Sequence, residues 1–142
     1  MTFTRGTDYE RIPGSWPWSR WKWRLIGTHF WRVRLAPACD LHLEYVSLYT
    51  DGTLVLEDGY AIDGVTCGID TPRSMRAAFI HDALCQLIEA KILEWEHRAA
   101  ADYEFLDALL ADGFGPRWWA LARWRVVRLW SELCRAHLRR ET

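Results

Sequence analysis

The stretch from Arg76 to Cys85 restricts the fold of this chain more than any other. In a helix it is apolar on nearly every side, with His81 and Asp82 at its middle. A helix that is hydrophobic all round belongs in a protein interior, where an ionisable side chain is costly unless something compensates it. His81 and Asp82 therefore require partners from elsewhere in the chain.

A second helical segment supplies a candidate partner for His81. Apolar residues lie at helical spacing from Asp102: Ala99, Phe105, Leu106 and Leu109. If the two helices form an antiparallel hairpin that turns between Lys91 and Glu94, His81 and Asp102 lie opposite each other, because they are equally far from the turn. We predict that a buried Asp102 accepts a hydrogen bond from one nitrogen of His81, which leaves the other nitrogen for a different contact.

Two interpretations of this pair stay open at the level of sequence. In the functional one, His81 acts on a substrate, and Asp82, about 100° further round the helix, ligates a cation. In the structural one, the pair only fastens two helices together. Spacing alone favours the structural interpretation.

The remaining patterns predict an α+β fold. The expected elements are about three strands within 29–57, a glycine- and aspartate-rich loop at 58–72, and helices at about 74–92, 95–112 and 116–139. Asp51 and Gly52 form a good hairpin turn between two of the strands. We therefore expect a small N-terminal antiparallel sheet, an antiparallel two-helix hairpin and a third amphipathic helix, all within one domain at 25–142.

The loop before the first helix has two interpretations. Asp63 and Gly64 lie in a glycine-bearing segment of the kind that can wrap a hard cation with carbonyl and carboxylate oxygens. The same composition also serves simply to turn a strand into a helix. Thr71 or Ser74 is expected to cap that helix, with Pro72 in its first turn.

Charge and tryptophan are strongly segregated along the chain. Residues 1–38 carry seven basic and two acidic residues, 39–112 carry four and fifteen, and 113–142 carry seven and two. Nine of the ten tryptophans fall in the two basic ends. This pattern predicts that the ends contact something that the middle does not.

A tryptophan-rich basic arm is predicted at 1–24. Its candidate interaction residues alternate with arginine and lysine, as in an extended clasp: Trp16, Trp18, Trp21 and Trp23. Tryptophan beside arginine suits a membrane interface, stacking on nucleic-acid bases or a protein interface, although such rings can also cover the protein's own core. The acidic middle of the chain argues against an extensive nucleic-acid track.

The third predicted helix has two distinct faces. One is apolar: Trp119, Ala122, Val126, Leu129 and Leu133. The other is mainly basic: Arg125, Arg128, Glu132, Arg135 and Arg139. A basic stripe is usually solvated, and here it can also contact phosphate groups.

Composition narrows the class of protein. A length of 142 residues suits one domain with a real core, and no apolar run approaches a membrane span. The N-terminus lacks the order of a secretory signal, so we expect a soluble protein made in a cytoplasm. The four cysteines fit neither a zinc site nor a dense disulfide framework.

Three motifs in order resemble a family of small phage and prophage proteins: Ile62-Asp63-Gly64-x-Thr66, the run 77–86 around His81-Asp82, and Ala101-Asp102-x-x-Phe105. The similarity covers roughly 40–130, and the chain departs from it at Ile62, where an aromatic is usual, and at Cys85, where tyrosine is usual. The resemblance implies a phage structural or accessory protein, in the host cytoplasm or the virion, with other phage structural proteins as partners and possible oligomers. The tryptophan-rich arm lies outside the resemblance and would bind such a partner.

The same hairpin is similar to the core of secreted phospholipase A2 enzymes. That resemblance implies that His81 activates water as a general base, that Asp102 orients it, and that Asp82 binds calcium with the loop at Asp63 and Gly64. The dense glycine-cysteine calcium loop and the disulfides of those enzymes are absent from the sequence. The alternative function that this resemblance implies is a calcium-dependent lipid-ester hydrolase that binds a membrane surface with its basic ends.

Overall fold

The computed structural model describes residues 6–14, 22–63 and 71–141, with side chains in the last helix described as far as residue 135. The described strands are β1 (Tyr9–Arg11), β2 (Trp23–Leu25), β3 (His29–Arg32), β4 (Leu41–His42), β5 (Val46–Leu48), β6 (Thr53–Leu56) and β7 (Ala61–Ile62). They are followed by helices α1 (Pro72–Glu89), α2 (Arg98–Ala111) and α3 (Arg117–Glu141), with a 3-10 turn at Trp95–His97 before α2. This order confirms the predicted α+β class.

The strands form two small antiparallel sheets rather than the single sheet of about three strands that the sequence predicted. One sheet has the order β1-β2-β7 and the other β3-β6-β5-β4. The stretch 41–50 forms two of these strands, because the amide of Leu43 donates to the carbonyl of Val46 at 2.7 Å and the chain reverses between β4 and β5. β7 lies inside the segment that was predicted to be only a loop.

The hairpin between β5 and β6 turns where the sequence predicted. Its turn includes Thr50 as well as Asp51 and Gly52, since the amide of Tyr49 donates to the carbonyl of Thr53 at 2.9 Å. Gly52 has a φ of 87°, and a Cβ added there would lie 2.5 Å from the carbonyl oxygen of Val33. Only glycine fits this position without a shift of the backbone.

Part of the predicted arm belongs to a sheet of the domain. β2 pairs with β1 on one side and with β7 on the other, with Trp23 opposite Ile62. The boundary drawn at residue 24 therefore passes through β2. Trp16, Trp18 and Trp21 lie outside the described residues.

The helical hairpin begins at one of the two predicted caps, and its connection includes the predicted turn at 91–94, although α1 ends at Glu89 and α2 begins at Arg98. Thr71 is the N-cap of α1 and Pro72 its first residue, and the side chain of Ser74 accepts a hydrogen bond from the Thr71 amide at 3.0 Å. The chain leaves α1 through Lys91, whose φ is 60°. At the open end of the hairpin, Arg76 Nε lies 2.9 Å from Asp112 Oδ2, so α1 and α2 are antiparallel.

α1 is the central element of the core, as its sequence predicted. Twelve of its eighteen residues are buried, and Phe79, Leu84 and Leu87 are wholly inaccessible to solvent. Burial on nearly every side is what confines His81 to the interior.

α3 packs on the hairpin through a mixed face. Ala120, Val127 and Ser131 are buried, whereas the residues that the sequence grouped as the apolar face are exposed. Arg128, assigned to the basic stripe, is half-buried against α2. Within the described part of the chain, no helix is long and apolar enough to cross a membrane.

Candidate functional site: a buried carboxylate shared by three helices

The predicted pairing of His81 with Asp102 is confirmed. His81 Nε2 lies 2.6 Å from Asp102 Oδ1, with the histidine on α1 and the aspartate on α2. Asp102 is wholly buried and His81 is 5% exposed. The ring also packs against Phe105, with ring centroids 5.4 Å apart. The two side chains therefore meet in the interior and are held from the side by an aromatic ring.

The second carboxylate oxygen of Asp102 is bound by α3. Ser131 Oγ donates to Asp102 Oδ2 at 2.8 Å, and Arg128 Nη1 donates to the same oxygen at 2.7 Å. Because these donors come from a third helix, Asp102 joins three helices where the sequence predicted a link between two.

Arg98 completes the surroundings of the carboxylate. It lies one turn before Asp102 on α2, and its Nε is 3.6 Å from Asp102 Oδ1 and donates to Ser131 Oγ at 3.0 Å. Its guanidinium carbon lies 5.6 Å from the centre of the Trp95 ring, which shields it from solvent. We call the residues that meet here the Asp102 cluster: His81, Arg98, Asp102, Arg128 and Ser131.

Three members of this cluster were not among the site residues predicted from the sequence: Arg98, Arg128 and Ser131. Arg98 stands at the i−4 position of Asp102, a spacing that favours ion pairs on one helix face. Arg128 and Ser131 are three residues apart on α3, so they share a face. These spacings were visible in the sequence, but nothing in them indicated which face of α3 contacts α2.

The hydrogen bonds of the cluster decide the ionisation of Asp102. Burial works to raise the pKa of this carboxyl, but the hydrogen bond and the charge of His81, together with the hydrogen bonds from Ser131 and Arg128, outweigh it. The pKa of Asp102 is therefore lowered, and the group remains a carboxylate at neutral pH. Such a carboxylate can fix the orientation of the imidazole.

Cys85 occupies the space beside the imidazole. Its Sγ lies 3.6 Å from His81 Nε2 and 3.9 Å from Nδ1. The thiol is 7% exposed, and burial raises its pKa above the ordinary cysteine value. A protonated, buried thiol is a poor nucleophile, so Cys85 serves as packing next to the histidine.

Tyr60 is a further buried polar side chain that sequence analysis did not single out. It is 3% exposed, and its hydroxyl has no hydrogen-bond partner among the described residues. Burial raises the pKa of this hydroxyl, and the charge of Asp82 raises it further. The phenol is neutral and lies on the Asp82 side of α1.

The proposed calcium ligands lie only partly within the described residues. Asp82 is half-buried on α1, Asp63 is exposed after β7, and Gly64 lies outside the described residues. Within 6–14, 22–63 and 71–135, no group of three or more histidine, cysteine, aspartate or glutamate side chains could hold a metal ion.

A cavity of about 530 Å³ lies on the opposite side of α2 from the Asp102 cluster. It is lined by residues of β3 and both hairpin helices, among them Arg34, Arg76, Glu104 and Asp107, and neither His81 nor Asp102 lines it. Burial raises the pKa of Glu104. This cavity gives a ligand no access to the imidazole.

Trp23, the one described member of the predicted arm tryptophans, packs on its own sheet. Its ring meets the Tyr9 ring edge-on with centroids 5.6 Å apart, and the guanidinium carbon of Arg11 lies 5.9 Å from its centre. The side chain is half-buried. For Trp23, covering the protein itself is therefore the better interpretation.

Comparison of the chain with known proteins finds no matching family model, no matching curated sequence and no matching solved structure. The resemblances to phage proteins and to phospholipase A2 thus stay predictions. Function has to be inferred from the contacts of the described residues.

Proposed function

We propose that this chain is a phage-encoded structural or accessory protein whose helical hairpin is a scaffold and whose tryptophan-rich segment binds a virion or host partner. The observation that supports this proposal best is that both carboxylate oxygens of Asp102 are hydrogen-bonded within the protein. Both carboxylate oxygens are bound, by His81 on one side and by Ser131 and Arg128 on the other. The ionisable groups expected to perform catalysis are thereby engaged in joining helices.

The position of the histidine supports the same proposal. A general base has to come within hydrogen-bond distance of the proton that it removes, directly or through one water. His81 is 5% exposed, and Cys85 and Phe105 pack against its ring. A buried polar network with every member satisfied instead gives three helices one defined arrangement.

The binding role rests on the distribution of charge and tryptophan. Residues 1–38 hold seven basic residues, two acidic residues and five of the ten tryptophans. Trp16, Trp18 and Trp21 remain the proposed contacts with another phage structural protein. Aromatic and arginine side chains are the residue types that dominate binding energy at protein interfaces.

A calcium-dependent lipid-ester hydrolase is the second candidate. It is favoured by the 2.6 Å contact of His81 Nε2 with an Asp102 whose pKa is lowered, because an ionised carboxylate at that nitrogen would orient an imidazole acting as general base through Nδ1. Asp82 and the loop at Asp63 and Gly64 would then supply oxygens to calcium.

One experiment separates the two candidates. Hydrolysis of phosphatidylcholine and phosphatidylglycerol vesicles is measured with millimolar calcium and with a chelator, and urea unfolding is measured for wild type and His81→Ala. A scaffold gives no hydrolysis, no calcium effect on unfolding, and a loss of about 1 to 3 kcal/mol in His81→Ala. Calcium-dependent hydrolysis that disappears in a folded His81→Ala protein would instead establish the hydrolase.

His42→Ala is the matched control for that stability loss. His42 is exposed on β4 and hydrogen-bonds only with Ser47 among the described residues. Its replacement should change the free energy of unfolding by less than about 0.5 kcal/mol. Equal losses in the two alanine variants would contradict a special structural role for His81.

Partner binding is tested with a variant that leaves the strands β1 and β2 in the chain. Deleting residues 1–24 would remove β1 and two of the three residues of β2, so the triple substitution Trp16→Ala, Trp18→Ala and Trp21→Ala is the better probe. Immunoblots of purified phage particles should detect the wild-type protein and lose the triple variant, while its urea unfolding stays unchanged. Undiminished incorporation of the variant would contradict binding through these rings.

A further inference from the structure

α3 presents an apolar surface to solvent on the side away from the core. Its members, here called the outer face, are Trp118, Trp119, Ala122, Val126, Leu129, Trp130 and Leu133. The six larger side chains are between 40% and 67% exposed. Large apolar residues scattered singly are normal on a protein surface, but a contiguous group of them marks a site of interaction.

The outer face is contiguous by helical geometry. At about 100° per residue, its seven side chains fill one uninterrupted arc of about 120°. From Trp118 to Leu133 the helix rises about 22 Å, at 1.5 Å per residue. The buried residues Ala120, Val127 and Ser131 lie on the opposite side. α3 therefore has one face for the protein and another, more apolar face for something outside it.

One exposed arginine, Arg125, borders the outer face, next to Trp118 around the helix. At the other edge, next to Trp130, Arg123 is half-buried and turns its guanidinium onto the protein. The guanidinium carbon of Arg123 lies 5.3 Å from the centre of the Phe114 ring. Seven basic and two acidic residues occupy 113–142, so an apolar partner with negative charge suits this face best.

An anionic bilayer surface fits these requirements better than the other occupants. A second copy of α3 would bring together two helices with the same excess of positive charge, and the segment at 15–21 has no acidic residue to pair with that charge. Tryptophan rings settle at the level of lipid headgroups, and leucine and valine enter the acyl boundary beneath them. An anionic leaflet attracts arginine side chains that lie near its surface.

We propose that the outer face of α3 binds the surface of an anionic phospholipid bilayer, with the helix lying in the plane of the interface. This site is separate from the Asp102 cluster and does not depend on which partner the N-terminal segment binds. It also does not depend on lipid hydrolysis.

Co-sedimentation and tryptophan fluorescence with vesicles test the proposal. The full chain is mixed with phosphatidylcholine vesicles and with vesicles that also contain phosphatidylglycerol. Binding and a blue shift of the emission should be stronger with phosphatidylglycerol and should weaken as salt is added. Absence of vesicle binding, or equal binding to both kinds of vesicle, would overturn the proposal.

Two double variants with the same chemical change locate the site. Leu129→Gln with Leu133→Gln removes apolar groups from the outer face, whereas Ile26→Gln with Ile92→Gln removes exposed apolar groups elsewhere. The first pair should weaken binding to anionic vesicles by about tenfold or more, and the second should leave it unchanged. Equal effects of the two pairs would overturn the assignment to α3.

Charge and self-association are tested with the same material. Arg125→Gln should weaken binding to phosphatidylglycerol vesicles about fivefold and leave the weak binding to phosphatidylcholine unaltered. Sedimentation velocity without lipid should show the same oligomeric state for wild type and for Leu129→Gln with Leu133→Gln. A dimer that dissociates in that variant would show that a second copy covers the outer face, which overturns the proposal.

Discussion

The two sides of α2 carry buried carboxylates that behave in opposite ways. Asp102 faces α1 and α3, and Glu104, two residues later, faces β3. They are 0% and 9% exposed, yet the pKa of Asp102 is lowered and that of Glu104 is raised. Burial is similar in the two cases, so another property of the surroundings decides the ionisation.

The difference lies in the donors. Asp102 receives hydrogen bonds from His81, Ser131 and Arg128. Glu104 receives one from the backbone amide of Arg34 at 2.7 Å, so burial dominates and raises its pKa, helped by the charge of Asp107. Several hydrogen-bond donors favour the ionised form of a buried carboxyl group, whereas with few donors burial disfavours that form.

The largest expected effect is that of Asp102→Ala compared with Glu104→Ala. Removing Asp102 leaves His81, Ser131 and Arg128 without their shared acceptor, which should cost about 3 to 5 kcal/mol in the free energy of unfolding. Removing Glu104 leaves one backbone amide without its acceptor, at about 1 kcal/mol. Urea denaturation at pH 7 measures both, and similar costs would contradict the distinction between the two sides.

The second-largest effect is expected at acid pH, where protonation of Asp102 should lower the free energy of unfolding. Since the folded-state pKa of Asp102 lies below the ordinary value of 3.8, the stability that its ionisation contributes is complete above that pH and is lost as the pH falls through the lowered pKa. The loss on protonation should be smaller than the loss in Asp102→Ala, because a protonated Asp102 keeps its side chain in place. Urea unfolding from pH 7 to pH 2 should show a steeper decline for wild type than for Asp102→Asn, and parallel declines would count against it.

Ser131→Ala should have a smaller effect. The hydroxyl donates to Asp102 Oδ2 and accepts from Arg98 Nε, so alanine leaves a buried donor and a buried acceptor each with one partner fewer. The expected cost is about 1 to 2 kcal/mol. Thr50→Ala, which removes an exposed hydroxyl in the turn between β5 and β6, is the control and should stay within about 0.5 kcal/mol of wild type.

Glu104→Gln should have the smallest effect and the opposite sign. Glutamine keeps an oxygen that can accept the Arg34 amide but carries no charge to desolvate. Because the raised pKa of Glu104 means that its ionised form opposes folding at pH 7, the variant should be more stable by up to about 0.5 kcal/mol. A clear loss in thermal or urea unfolding would show that the charge of Glu104 contributes favourably to the sheet-facing side.

Much of the hairpin could be predicted from the sequence. An apolar helix around His81 had to be buried, and equal distance from a turn at Lys91 placed Asp102 opposite it. Thr71 with Pro72 marked the start of α1, because these residues favour a helix N-terminus for local reasons. Local chemistry and hydrophobic period act within one or two turns of chain, so they can be recognised without knowledge of the fold.

The orientation of α3 was decided only by the tertiary structure. By hydrophobicity alone, Trp119, Leu129 and Leu133 would be chosen for the core, yet they are exposed. A buried carboxylate on α2 requires donors, and the face of α3 that carries Arg128 and Ser131 provides them. Periodicity determined that α3 is amphipathic, whereas the need to satisfy Asp102 accounts for which face turns inward.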